Sequence, residues 1–110
     1  MSTLIENLEA MLARGDDSAL LRFSLGCAYL KADNLELAMG HLQRAVELDE
    51  SYSAAWKTLG RAQADSGLSA AAMATYRRGI EIADASGDRQ AAREMQVFLR
   101  RLERRPQDAG

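Results

Sequence analysis

The chain has 110 residues, 47% of them apolar and 27% charged, with a formal net charge of −2. That balance suits one helical domain with a single core, and it excludes the broad cation excess through which nonspecific nucleic-acid binding works. Nothing in it approaches the roughly 18 consecutive apolar residues that a membrane span requires.

The first predicted element is a helix over residues 3–14, whose apolar face carries Leu4, Leu8, Met11 and Leu12. Glu6, Asn7 and Glu9 interrupt its apolar character, so no signal peptide is expected. Gly15, Asp16, Asp17 and Ser18 break the chain, and Asp17 or Ser18 suits the cap of the next helix through a side-chain oxygen.

Residues 19–52 and 53–86 then read as two copies of one 34-residue unit. Laid on each other they share Leu25/Leu59, Gly26/Gly60, Ala28/Ala62, Ala38/Ala72, Met39/Met73, Arg44/Arg78 and Glu47/Glu81. Each unit is a helix pair, divided at Asp33 and Asn34 in the first and at Asp65, Ser66 and Gly67 in the second. A glycine inside a helix costs about 1 kcal/mol relative to alanine, so Gly26 and Gly60 imply close approach within each pair, against Ala38 and Ala72. Moving Ala38, Leu42, Ala45 and Val46 back by the same period lands on Leu4, Leu8, Met11 and Leu12, which makes helix 3–14 a half-repeat.

After Ser86, Gly87 and Asp88 a last helix occupies 87–105. Ala91, Ala92, Met95, Phe98, Leu99 and Leu102 form its apolar stripe, and arginines and glutamates fill the other face. The period is poorly kept, since Arg93 and Glu94 fall where leucine and glycine stood, so this helix reads as a terminal cap with a polar outer face. Pro106 ends it, and 106–110 read as a disordered tail. No segment of useful length alternates apolar and polar residues, so the class is all-α, with both terminal helices needed to complete a core.

Trp56, Leu59, Gly60, Ala72 and Tyr76 in the second unit, and Leu25, Gly26, Tyr29, Ala38, Leu42 and Ala45 in the first, resemble the tetratricopeptide repeat (TPR). Arg22, Gln63 and Gly79 depart from that pattern, and Glu50 and Asp84 replace its proline. The resemblance implies a right-handed α-α superhelix of about six antiparallel helices spanning 1–105. It also implies a non-catalytic module that binds a peptide or protein segment in its concave groove.

Helix 19–31 is apolar nearly all round. Leu21, Leu25, Ala28 and Tyr29 suit the inside of its own pair, and Leu20, Phe23, Cys27 and Leu30 form a second stripe. In proteins similar to this one that second face lines the groove. The next first helix presents Lys57, Arg61 and Asp65 there, and Lys31 stands at the edge, a combination suited to an amphipathic or acidic peptide. Phe23, Cys27 and Thr58 occupy the Lys and Asn sites of the family's carboxylate clamp, so that mode is not expected. The alternative is a homo-oligomeric module in which the stripe or the last helix is buried between copies. Residues 1–52 carry nine acidic and four basic groups, whereas 87–110 carry four and six, so head-to-tail self-association is one form of it.

Neither a phosphate loop, nor a nucleophile elbow, nor metal-ligand spacing occurs, and no catalysis, metal or cofactor is expected. Cys27 and His41 are the sole thiol and imidazole, and the repeat places them on different surfaces. Cys27 reads as an apolar filler and His41 as a solvated side chain. One cysteine makes no internal disulfide, which points to the cytoplasm. Twelve arginines against two lysines suggest a GC-rich, bacterial source.

Overall fold

The computed structural model describes residues 3–105, and the tail expected at 106–110 lies outside them. Six helices follow one another: α1 Thr3–Ala13, α2 Ala19–Lys31, α3 Leu35–Leu48, α4 Ser53–Asp65, α5 Ser69–Ser86 and α6 Arg89–Arg104. No strand occurs among the described residues. Each helix packs on the next in sequence; α2 also touches α4, and α4 touches α6, whereas α1, α3 and α5 do not meet one another. The arrangement is a superhelical stack with α2, α4 and α6 as its inner layer.

Short polar side chains set the helix starts. Ser18 Oγ accepts the Leu21 amide at 3.1 Å, Asn34 Oδ1 that of Leu37 at 3.3 Å, and Asp88 Oδ1 that of Ala91 at 3.2 Å. Of the two candidates before α2, Ser18 is therefore the cap, and Asp17 instead accepts two bonds from Arg22 at 2.8 and 3.1 Å. Gly87 ends α5 in the left-handed region at φ 82°.

The close approach expected at the two helical glycines is present, one turn further along the partner than the sequence suggested. A Cβ on Gly26 would overlap Leu42, and one on Gly60 would overlap the ring of Tyr76. Ala38 and Ala72 are buried beside these contacts, but it is the large side chain that lies across the bare backbone.

Two core clusters result. Ala38, Leu42, Ala45, Val46, Ala55, Leu59 and Ala62 make the first; Ala72, Tyr76, Ala83, Ala91, Ala92, Met95 and Leu102 make the second. The half-buried Trp56 packs against both and joins them.

Two features depart from the sequence reading. Ile5 is the buried residue of α1, while Leu4 is 57% and Met11 37% exposed. Leu4, Leu8 and Met11 are the counterparts of Ala38, Leu42 and Ala45, which face their own first helix; α1 packs on α2 alone, so among the described residues Leu4 and Met11 of this face stay exposed and Leu8 is half-buried. At the other end the period is displaced rather than lost. From Ala19 to Ser53 is 34 residues but from Ser53 to Arg89 is 36, because α5 runs for 18 residues where α3 runs for 14. With that offset the fully buried Met95 takes the place of Leu59, and Gln96 that of Gly60.

Candidate functional site

The inner layer presents side chains from alternate helices, and α2 shows how. Leu21, Leu25, Gly26 and Ala28 are buried within the stack. The second stripe does not form one open strip. The half-buried Phe23 ring lies 5.0 Å from that of Tyr52, tilted by 42°, so the loop before α4 covers it. Leu20 is 64% exposed and borders a separate depression with Asp49, Ser51 and Tyr52.

Cys27, Leu30, Lys31 and Arg61 do come together. With Leu4 and Thr58 they line a cleft of about 360 Å³ between α2 and α4. Lys57 is directed elsewhere: its Nζ lies 3.0 Å from Glu94 Oε1 on α6, which neutralises one of the two cations the sequence assigned to the groove. Asp65 lies 3.8 Å from Arg61, one turn along the same helix, and both border a second pocket, between α4 and α6. Arg61 thus belongs to two adjoining cavities.

That second pocket, about 340 Å³ in volume, adds Tyr76, Phe98, Arg101, Leu102 and Arg105, none of which the sequence reading assigned to a site. Tyr76, Phe98 and Leu102 belong to apolar faces and read as core, and only the 36-residue offset of α6 aligns Arg101 with the groove position Asp65.

Cys27 and His41 stand in unrelated surroundings. Burial pushes the Cys27 thiol up, against the opposing effect of Lys31, which disfavours the thiolate. His41 is not the solvated side chain expected of it: it is half-buried, stacked on Tyr29 at 5.5 Å with 4° between the planes, and 3.1 Å from Arg22 Nη1. Burial first and Arg22 second hold its pKa below the ordinary value, although Glu9 and Asp17 pull the other way. Among the described residues no three of His, Cys, Asp or Glu are grouped so as to hold a metal ion.

A tetratricopeptide repeat family model matches residues 19–52. The TPR repeat-containing protein PA0015 of Pseudomonas aeruginosa is 52% identical over 101 residues, 92% of this chain and 96% of its own length. This chain belongs to the tetratricopeptide repeat family.

Solved structures share the fold. A solution structure of a Bordetella parapertussis protein superposes with a TM-score of 0.81 at 44% identity, covering 94% of this chain and 90% of that one. A tetratricopeptide repeat domain protein of Salinibacter ruber does so at 0.77 and 26% identity, covering 86% and 95%. TPR folds are generally protein–protein interaction modules, and TPR proteins are generally non-catalytic scaffolds. No described helix of this TPR protein is long and apolar enough to cross a membrane.

Proposed function

We propose that this TPR protein is a non-catalytic adaptor whose inner face binds a peptide or protein segment. The observation that carries the reading is the cleft between α2 and α4, where Cys27 and Leu30 supply apolar surface beside the exposed cations Lys31 and Arg61. Of the eight residues the sequence nominated, these four line the proposed site; Leu20, Phe23, Lys57 and Asp65 lie outside it. Bacterial relatives support a bacterial source, and the single cysteine supports a cytoplasmic one.

The test compares proteins co-purifying from source cells with the wild type and with a Lys31→Glu, Arg61→Glu variant, once circular dichroism shows matching melts. Loss of a partner supports the cleft; retention of every partner removes it.

Self-association is the second reading, and one observation favours it: Leu4 and Met11, exposed on α1, match Ala38 and Ala45, which are buried on α3. Sedimentation over a wide concentration range decides. A monomer throughout eliminates that reading.

A further inference from the structure

We propose that the pocket between α4 and α6 docks an acidic peptide segment bearing one large apolar side chain. This rests on the inner-face reading above and names the partner's chemistry. The floor is aromatic: the Tyr76 and Phe98 rings lie 5.7 Å apart, tilted by 42°, with Leu102 beside them. Burial pushes the Tyr76 phenol up to about 12, so the floor carries no charge near neutrality.

The rim is cationic. Arg61, Arg101 and Arg105 are exposed around it, against the single carboxylate of Asp65. Asp65 engages Arg61, and no ion pair among the described residues involves Arg101 or Arg105. The Arg101 guanidinium carbon sits over the Phe98 ring, 6.0 Å from its centroid, at the outer edge of cation–π range, and its N–H donors stay available for a carboxylate. Three arginines about an uncharged aromatic floor complement an anion attached to an apolar group. A segment lying there and extending past Arg61 enters the α2–α4 cleft, so one ligand spans both cavities.

A polyanion such as nucleic acid fits less well. It needs cations that track a backbone, and beyond this rim the same layer presents Asp88 and Glu94. The chain's own acidic corner, Glu47 to Glu50 with the exposed Leu48, is also a weaker occupant. Glu47 lies 3.5 Å from Arg44, Glu50 lies 2.6 Å from Arg78, and Asp49 accepts the Ser51 hydroxyl at 2.6 Å within one copy.

The experiment uses the full chain and fluorescence anisotropy with a panel of labelled octapeptides, each holding four glutamates around one phenylalanine, and matched panels with lysine for glutamate or alanine for phenylalanine. The best glutamate peptide is expected to bind at least tenfold more tightly than its lysine isomer. It should lose at least tenfold in an Arg101→Glu, Arg105→Glu variant whose melt is unchanged. Phe98→Ala should weaken the phenylalanine peptides and leave the alanine ones unaffected.

Equal affinity for glutamate and lysine peptides, or no binding by any, overturns the proposal. Glutamate peptides that ignore the double arginine variant but are lost in Lys31→Glu overturn this pocket and leave the inner-face reading standing. A dimer abolished by the arginine changes, or a single-stranded oligonucleotide that outcompetes every peptide, replaces the acidic peptide with another occupant and overturns it too.

Discussion

Arg22 Nη1 on α2 lies 3.1 Å from Nδ1 of His41 on α3. A guanidinium can only donate, so Nδ1 must be the bare nitrogen and the ring proton sits on Nε2. Protonating His41 would place a second cation against Arg22, in a ring already stacked on Tyr29. Its folded pKa lies below the unfolded value near 6.5, so the unfolded chain binds more protons between the two. The resulting stability is complete above about pH 6.5 and declines as pH falls toward the folded pKa. We expect the melting temperature to drop between pH 7.5 and pH 5.5 and His41→Gln to flatten that slope. Equal slopes in the two proteins would remove His41 as the cause.

Two glycine substitutions should have opposite signs. A Cβ on Gly26 overlaps Leu42, which is fully buried, whereas one on Gly40 meets nothing within 4 Å. Overpacking costs about 1–3 kcal/mol, partly offset by the roughly 1 kcal/mol that alanine gains over glycine in a helix. Gly26→Ala should therefore destabilise by up to about 2 kcal/mol, and Gly40→Ala should stabilise by up to about 1 kcal/mol. Urea denaturation of both checks the order, and a more stable Gly26→Ala would refute the contact argument.

Much of this fold was legible because a repeat writes its burial twice. Leu25 and Leu59, or Ala38 and Ala72, are buried in both units, and one helix period with one repeat period finds them. Two inserted residues before α6 were enough to conceal that Met95 continues the series. The site was less legible. Periodicity reports which side of a helix is apolar, but not that Tyr52 folds over Phe23 or that Glu94 takes Lys57 from 37 residues away. Long side chains meeting across helices leave no periodic trace.

Trp56 should couple the two core clusters. It is the sole tryptophan, it packs against both, its Cβ lies under Gly79, and its indole Nε1 donates to the Glu50 carbonyl at 2.8 Å. Truncating a large core aromatic costs about 3–5 kcal/mol, and here half-burial puts the expected loss near the lower figure. We predict that Trp56→Ala lowers stability by about 3 kcal/mol and splits the circular dichroism melt into two phases, because stacked repeats touch only their neighbours. A single sharp transition would show that the clusters communicate by another route.

The two terminal helices should differ in what their removal does. From α6 the second core cluster takes Ala91, Ala92, Met95 and Leu102, and Gly79 is shaped to the Met95 sulfur, which would lie 2.6 Å from an added Cβ. From α1 only Ile5 is buried, and its firmest polar tie is the Tyr29 hydroxyl donating to Glu9 at 2.5 Å. Deleting residues 87–110 should therefore abolish the cooperative melt or cause aggregation. Deleting residues 1–15 should leave a folded, less stable protein with Tyr29 and the α2 surface uncovered. Tyrosine titration gives an independent check on the shorter chain, since the bond to Glu9 is the main cause holding the Tyr29 phenol above its ordinary range. One tyrosine should ionise at lower pH once α1 is gone. Equal loss of structure from both truncations would mean that α1 contributes far more than its packing shows.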